Sequence, residues 1–593
     1  MTSAIFSFIM RLVSLSWLTG PIFDKELRVS SRRRRNYVLR FAYLALLTIL
    51  LVLFWLTEMR YGGSGLWQSS RMAEVGKMII ACIVWFQFIA TQILAGIMLS
   101  TSISDEIYHK TLGLLMTTPI NSFQVVVGKL LSKLLQLLLL MAISLPLLAV
   151  VRVFGGVPWG FIVSGLCITL TTVLFIGSLS LLYSIFSRRA YVVIILTVLT
   201  LGVIFALIPL LAAMFLHRIV SDSEFFSVLS YLNPYICLAV ATDAMQSPRT
   251  AGWIAGLYWP LHCAVMLFAS ALMLALSVFM VRKVALRQAT GQLGVSSKKR
   301  RRKRQGGPKI AVERVYEAAP RRVRGSAILW KELKSPLFGR RKLLFVISIA
   351  IGLILLFITY AFFADLHDLD DREVHMMYCV IFMGLGTLFA MILPATCITS
   401  EKESRAWPLL LATTLGDWQI LGAKFAGIVR RSLPVWCLLF GHIILFTLAG
   451  IIHPIAIFQT AMLVGWLVAF LSGSGLYFST RFKRTTTAVI ANFTLAAAIW
   501  GLAPLLMAFL AELRVVDHNF IESYLDTNPF VHIVVIMEAT ASRSNLSNYH
   551  WVSNGSKNVF DSTAWMAACA LGYVSLGLLF AWRAKCRLRR NIF

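Results

Sequence analysis

Long apolar stretches separated by short polar loops fill most of the chain, and they fall into two groups of six. A helix needs about 20 apolar residues to cross the hydrocarbon core of a bilayer, and each stretch approaches or exceeds that length. The predicted spans are residues 38–57, 78–100, 130–151, 161–186, 191–216 and 253–281 in the first group, and 343–363, 376–398, 433–452, 454–478, 488–510 and 565–582 in the second. Backbone polar groups in lipid have to be satisfied within their own segment. The pattern therefore predicts an all-α integral membrane protein with about twelve transmembrane helices.

The two groups repeat one unit. Polar motifs recur at a constant offset of 295 residues, pairing Glu106 with Glu401, Gln124 with Gln419, Lys129 with Lys424, and Asn233-Pro234 with Asn528-Pro529. The sequence thus predicts a first six-span unit over residues 1–283, a linker over 284–325 and a second six-span unit over 326–593. A duplicated membrane unit indicates a symmetric pathway across the membrane.

Composition and charge agree with a multi-pass membrane protein. Hydrophobic residues make up 58% of the chain and charged residues 14%, with a mean hydropathy of +0.78, whereas about a quarter of the residues of a soluble protein are charged. The net charge of +30 comes from basic clusters in alternate loops, such as Arg32 to Arg35 and Arg583 to Arg590. Because cytoplasmic loops are rich in Lys and Arg, both termini are predicted to lie in the cytoplasm, with the protein in the inner or plasma membrane.

The predicted linker carries the run Lys298 to Arg304, in which every residue is basic. Such a run is found in nucleic-acid-binding and nuclear-targeting segments. Here it follows a membrane span closely, so contact with anionic lipid head groups is the favoured interpretation. Membrane lipid is a predicted partner, and nucleic acid is not.

A short charged element precedes the first span of each unit. Lys25 and Glu26 in the first unit correspond to Lys331 and Glu332 in the second, each pair followed by leucine. The mixture of apolar and charged residues predicts a helix lying along the cytoplasmic interface, with its aromatic and leucine side chains turned inward and its Lys and Arg side chains turned towards water. A simple juxtamembrane charge cluster that sets topology is the alternative.

The segment between the second and third spans of each unit is the strongest candidate for function. Its acidic start, leucines and threonines predict a short amphipathic helix on the cytoplasmic face, and Pro119 disfavours helix at Thr118. Such a helix fits a groove on a soluble partner; an ordinary solvated loop is the alternative. The candidate residues are Glu106, Lys110, Leu114, Leu115 and Thr118 in the first unit, and Glu401, Arg405, Leu409, Leu410 and Thr413 in the second.

These features together resemble the permease subunits of ABC-2 type ABC transporters. The resemblance rests on Glu106, the Leu114-Leu115 pair, the Thr118-Pro119 turn, Gly128-Lys129 and the Asn233-Pro234 motif. It implies six spans per unit, an interfacial connecting helix, a coupling helix between spans two and three, and short re-entrant helices before span six. The coupling role would then fall to Glu106 through Thr118 and Glu401 through Thr413.

The second copy departs from this pattern. Leu415 follows the threonine pair where proline is expected, and Gly422-Ala423-Lys424 replaces the Gly-Lys dipeptide. A differently bent coupling segment is therefore expected in the second unit. Whether the two halves are functionally equivalent is left open.

The source of energy is predicted to be another chain. A phosphate-binding loop of the form G-x-x-x-x-G-K-[ST] is absent from the sequence, so ATP and Mg are expected in separate ATPase subunits, either two copies or a heterodimer. No cofactor, metal or catalytic residue is predicted for this chain. His367 and His375 lie among external carboxylates, where a solvated acidic loop is favoured over a metal site.

The sequence thus predicts the membrane component of an ATP-driven transporter, with export favoured. An ion-coupled twelve-span carrier is the first alternative. It ordinarily keeps an ionisable residue within the membrane, whereas Gln87, Gln92 and Gln136 carry no proton. A membrane-embedded lipid-modifying enzyme, with Asp365 to His375 as its only candidate site, and a channel-like or regulatory component also stay open. The transported substrate is left open among drug, lipid, peptide and polysaccharide.

Overall fold

Twelve long helices, labelled α1 to α12, make up most of the described residues and follow the order of the predicted spans. The computed structural model describes residues 21–26, 28, 34–60, 67–108, 111–112, 118, 120–153, 156–187, 190–216, 221–246, 258–289, 326–334, 342–365, 368–512, 516–541, 546–553 and 556–590. The helices of the first unit are α1 (Arg34–Arg60), α2 (Trp67–Leu99), α3 (Ser122–Val153), α4 (Trp159–Phe186), α5 (Ala190–Gly202, continued by Val203–Leu207 and Ile208–Leu216) and α6 (Trp259–Ala289). Those of the second unit are α7 (Lys342–Asp365), α8 (Arg372–Cys397), α9 (Asp417–Leu448), α10 (Ile455–Arg481), α11 (Thr485–Ala497, continued by Ala498–Leu502 and Ala503–Glu512) and α12 (Val559–Arg587).

The prediction of an all-α integral membrane protein is confirmed. Within the described residues, 10 helices are long and apolar enough to cross a membrane, namely all but α1 and α7. The apolar stretches identified within those two helices are shorter, Arg40–Ile49 and Gly352–Asp365. A small antiparallel hairpin of Tyr549–His550 and Ser556–Lys557 precedes α12.

Both units place short helices before their last long helix, where the resemblance implied them. In the first unit Asp222–Leu232 is followed by Pro234–Gln246, and the chain bends by 112° between the two. In the second unit His518–Leu525 is followed by Pro529–Thr540. Each pair is separated at the Asn-Pro motif, because proline has no N–H and fits the first turn of a new helix.

The Asn-Pro motif is tied to an irregular turn in the fifth helix of its unit. A π-helical turn interrupts α5 at Val203–Leu207 and α11 at Ala498–Leu502, again 295 residues apart. Asn233 donates its side-chain amide to the carbonyl of Phe205 at 2.7 Å, and Asn528 donates to that of Trp500 at 3.3 Å. A π turn disturbs the regular helical hydrogen bonding, and the asparagine supplies a donor there in both units.

The two units pack against each other through α1, α2 and α5 of the first and α8 and α11 of the second. Ile97 and Ile194 join Ile392 and Val489 in one buried apolar cluster at the end of the bundle that carries Glu106 and Glu401. This end is called the coupling end below. The seam between the units is therefore closed there by apolar side chains.

Candidate functional site

In the first unit, a buried ion pair fixes the segment that follows α2. Glu106 lies in the short helix Ser104–Tyr108, and its Oε1 is 2.6 Å from Nζ of Lys129 on α3. Lys129 also donates to the carbonyl oxygen of Ser102. Val126 and Leu130 are buried beside it, so the ammonium group is shielded from water. The pair joins the segment to the first turns of α3.

The same pair occurs in the second unit, within a larger network. Oε1 of Glu401 is 2.6 Å from Nζ of Lys424 on α9, and Oε1 of Glu332 is also 2.6 Å from that nitrogen. The Lys424 side chain is 3% exposed, so neither contact is a solvated surface pair. One ammonium group therefore bridges two carboxylates that are distant in sequence.

Glu332 belongs to the helix Ala327–Lys334, called the connecting helix here, which packs on α9. Its Oε2 is 2.7 Å from Nη2 of Arg431, and its carbonyl accepts a hydrogen bond from Arg430 at 2.9 Å. Gly427 makes room for it, since a Cβ at that position would lie 3.0 Å from Glu332 Oε2. The carboxylate of Glu332 is turned inward, because Lys424 and Arg431 on α9 hold it there. Lys331 does face water, with its Nζ 3.4 Å from Glu401 Oε1.

The protonation of Glu332 reflects this environment. Burial acts to raise the pKa of its carboxyl group, but the positive charges of Lys424, Arg431 and Lys331 outweigh that effect and hold the pKa below its ordinary value. Opposite charges within a few ångströms favour the ionised form. The carboxylate is thus charged at neutral pH.

The corresponding element of the first unit, residues 21–26, is also helical. Lys25 is exposed, and Glu26 is half-buried with its Oε2 3.7 Å from Nζ of Lys133 on α3. In both units, therefore, the glutamate of the Lys-Glu-Leu motif approaches a basic residue of the third helix. The contact is closer in the second unit, where Lys424 and Arg431 both reach Glu332.

The segment between α8 and α9 contains two short helices rather than one. Thr399–Glu403 and Trp407–Leu411 are separated by a turn in which exposed Arg405 has a φ of 54°, a conformation that is uncommon for residues other than glycine. Trp407 is buried and anchors the second helix. The turn directs that helix across the coupling end.

Apolar side chains of this segment remain uncovered at the coupling end. Leu409 is 74% exposed and Trp418, at the start of α9, is 50% exposed, while Leu410 is half-buried and Thr413 is exposed. Exposed apolar groups rimmed by polar ones mark interaction sites. In the first unit Thr118 is exposed, whereas Lys110, Leu114 and Leu115 lie outside the described residues.

The sequence did not reveal a pair of histidines inside the second unit. His375 on α8 and His442 on α9 are buried with 3.4 Å between Nδ1 and Nε2, and the hydroxyl of Tyr360 on α7 is 2.6 Å from His442 Nδ1. The prediction of a solvated loop is therefore wrong for His375, because this residue lies in the first turn of α8 and packs inward, whereas His367 lies outside the described residues. Among the described residues, no group of three or more His, Cys, Asp and Glu side chains is placed to hold a metal ion.

A comparison with known protein families identifies the first unit. Residues 21–289 match the model of a family described as ABC-2 family transporter protein. This unit belongs to the ABC-2 transporter family. No curated protein matches the chain. The match supports a membrane transport component of the ABC-2 type, a class of subunit that is usually non-catalytic.

The matched range contains Glu26, Glu106 and Lys129 and ends at the last residue of α6. The second unit lies beyond it. That unit repeats the ion pair, the π turn and the Asn-Pro motif at the offset of 295 residues. The likeness of the two halves therefore extends from sequence motifs to atomic contacts.

Proposed function

We propose that this chain is the complete membrane portion of an ATP-driven exporter, formed by two fused ABC-2 permease units. The units are residues 1–283 and 326–593, joined by the basic linker 284–325. The observation that carries the proposal is the matched ion pair, Glu106 with Lys129 and Glu401 with Lys424, each at 2.6 Å. Separate ATPase subunits, two copies or a heterodimer, bind and hydrolyse ATP with Mg, and this chain binds no cofactor.

The docking site for the ATPase subunits is the pair of coupling segments, 104–118 and 399–413. Leu409 and Trp418 present apolar surface to a partner, and Glu401 joins that surface to α9 through Lys424. Removing one member of a buried ion pair costs about 3–5 kcal/mol, so a segment pushed by a partner moves its third helix with it. ATP binding thus acts on α3 and α9, and the substrate leaves through the seam between the units.

The orientation follows from charge. The coupling end carries Lys129, Lys424, Arg431 and the basic end of α12, and basic loops stay in the cytoplasm. We therefore place both termini in the cytoplasm and the protein in the inner or plasma membrane. We also propose that anionic lipid head groups are a binding partner of the basic linker.

The proposal is tested by co-purification from native membranes. The double variant Glu106→Ala with Glu401→Ala removes both matched carboxylates, and Leu409→Glu places a charge on the exposed apolar surface. Both variants are expected to lower the recovery of an ATPase subunit. A matched control, Glu224→Ala with Glu373→Ala, removes one exposed glutamate per unit away from the coupling end. Unchanged recovery with both test variants contradicts the coupling role.

One observation favours a second candidate function, proton-coupled carriage. Ionisable side chains within membrane helices are retained for function by default, and His375 and His442 face each other between α8 and α9. The first unit has Ile80 and Leu147 at the corresponding positions. The double variant His375→Ile with His442→Leu copies that apolar arrangement. Loss of pH-gradient-driven transport in ATP-depleted vesicles would support this candidate, and intact ATP-driven transport in the variant would eliminate it.

A further inference from the structure

Three consecutive charged residues of the second coupling segment bind three different helices. Glu401 pairs with Lys424 of α9. Lys402 and Glu403 are engaged with the last turn of α10 and the first residue of α11. The ion pair of Glu401 belongs to the proposed docking site, whereas Lys402 and Glu403 have no role in that site.

Lys402 caps the end of α10. Its ammonium group donates to the carbonyl oxygens of Ser479 at 3.0 Å and Phe482 at 3.2 Å, and also to that of Thr480. The last carbonyls of a helix have no partner within the helix, and the helix dipole makes this end negative. A half-buried cation is therefore well placed there.

Glu403 caps the start of α11 with the opposite charge. Its Oε1 accepts from the backbone N–H of Thr485 at 2.7 Å, and its Oε2 accepts from the Thr485 hydroxyl at 2.6 Å. The first N–H groups of a helix are free of internal partners and sit at its positive end. Adjacent residues of opposite charge thus fit the opposite ends of two consecutive helices.

The backbone of the segment is held at the same place. The Ser479 hydroxyl oxygen accepts hydrogen bonds from the backbone N–H groups of Ile398 and Thr399, both at 2.9 Å. The turn between α10 and α11, residues 482–484, is called the elbow here. The segment cannot shift without either moving the elbow or leaving half-buried charges without partners, which is costly.

The first unit lacks these charges at the matching positions. Ile107 and Tyr108 stand where the second unit has Lys402 and Glu403, and Ala190 stands where it has Thr485. Ile107 is buried as an apolar side chain. Among the residues that the structure describes, the glutamate–lysine pair is thus common to both units, and the charged connection to the fourth and fifth helices is seen in the second.

We infer that Lys402 and Glu403 are positioning residues that carry movement of the second coupling segment to α10 and α11. Because α11 forms part of the seam between the units, the second unit shifts the seam in response to its ATPase more directly than the first. This inference rests on the proposed function. It assigns a functional difference between the two halves to particular side chains.

Hydrogen–deuterium exchange of the complex co-purified from native membranes tests the inference. Exchange is compared with and without Mg-ATP and orthovanadate, in residues 399–412 and in residues 482–497. The wild-type chain is expected to respond in both regions. In the Lys402→Met and Glu403→Gln double variant, the response of 399–412 persists while that of 482–497 falls by about fivefold or more, the scale of a typical coupling between sites.

Several variants separate positioning from folding. The exchange response of residues 482–497 is called the elbow response. Lys483→Met removes a charge from the exposed elbow and is expected to keep the responses of both regions. Lys402→Arg, which keeps the positive charge and leaves Glu403 intact, is expected to keep the elbow response. If the double variant does not fold, Glu403→Gln is combined with Thr485→Val instead. This pair removes the charge of Glu403 and the hydroxyl of Thr485 while keeping the side-chain volumes similar, and the inference requires that its elbow response falls as well. ATP hydrolysis by the complex is expected to continue in each folded variant.

The outcomes distinguish the two proposals. A full elbow response in a folded variant lacking the charges of Lys402 and Glu403 overturns the inference alone. No nucleotide response anywhere in the wild-type complex, or no ATPase in it, overturns the proposed function and the inference with it.

Discussion

Asn528 donates its side-chain amide to the carbonyl of Trp500 in the π turn of α11, and its Oδ1 accepts the N–H of Phe530 at 3.0 Å. One side chain thereby serves two irregular sites, the π turn and the beginning of the helix Pro529–Thr540. Asn233 makes the equivalent contacts with Phe205 and Tyr235 in the first unit. The asparagine of the Asn-Pro motif therefore connects the fifth long helix of its unit, α5 or α11, to the short helix that begins at the proline of the motif.

Replacing Asn528 with Ala is expected to destabilise the second unit. The variant loses a helix cap, worth about 1 kcal/mol, and removes a donor from the π-turn carbonyl, which adds about 1–3 kcal/mol where that oxygen stays buried. The midpoint of thermal unfolding in detergent measures the effect. Asn519→Ala, at an exposed site of the preceding helix, is the control. Equal unfolding midpoints for the two variants would show that the hydrogen bonds of Asn528 contribute nothing to thermal stability.

Lys424→Met is expected to be among the most destabilising single substitutions at the coupling end. It leaves the carboxylates of Glu332 and Glu401 without their shared cation, and the loss of one partner from a buried ion pair costs about 3–5 kcal/mol. The free energy of unfolding of the purified chain checks the prediction. Lys331→Met removes an exposed cation 3.4 Å from Glu401 and should cost about 0–1 kcal/mol. The prediction is wrong if the two variants are equally stable.

Gly427→Ala is expected to loosen the packing of the connecting helix on α9. The added Cβ would lie 3.0 Å from Oε2 and 3.1 Å from Cβ of Glu332, so Glu332 has to shift by a few tenths of an ångström within its tight contacts with Lys424 and Arg431. Proteolysis of the purified protein at the connecting helix should accelerate. Gly422→Ala, on the same helix, has nothing within 4 Å of the new Cβ and should leave the cleavage rate unchanged. Identical rates in both variants would mean that Glu332 adapts without leaving its partners.

Gly577→Ala is expected to force α10 and α12 apart. These helices approach so closely that a Cβ on Gly577 would lie 2.7 Å from the carbonyl oxygen of Ala469, and overpacking of this kind costs about 1–3 kcal/mol. Thermal unfolding reports the loss. Gly572→Ala, on an open face of α12, should be neutral or slightly stabilising. A stable Gly577→Ala protein would show that the two backbones can separate at little cost.

The docking of the connecting helix is expected to weaken in acid. Burial acts to raise the pKa of Glu332. The positive charges of Lys424, Arg431 and Lys331 lower this pKa by more than burial raises it, so it lies below the ordinary value of 4.5. A carboxyl group with a lowered folded-state pKa stabilises the fold above its unfolded-state pKa, and this contribution disappears as pH falls through the folded-state value. The stability difference between the wild type and Glu332→Gln should be constant near neutral pH and shrink below pH 4.5. A difference that does not change with pH would exclude ionised Glu332 as its source.

The sequence by itself determined the membrane class, the helical architecture and the duplication. Apolar stretches long enough to cross a bilayer have few alternatives to helix, because lipid offers backbone groups no hydrogen bonds. Glu106 and Lys129, with their counterparts Glu401 and Lys424, stood out because the same spacing occurs twice. A local pattern repeated in one chain needs no tertiary information to be recognised.

Only the tertiary structure decided which of these residues touch. The burial of Glu332 depends on Gly427 and Arg431, which are about 100 residues away in sequence and come close only when the connecting helix packs on α9. The contact of His375 with His442 and the binding of Lys402 to the end of α10 likewise join residues from different helices. Hydropathy records whether a residue suits lipid or water, whereas ion pairs and helix caps depend on how the helices are arranged around it.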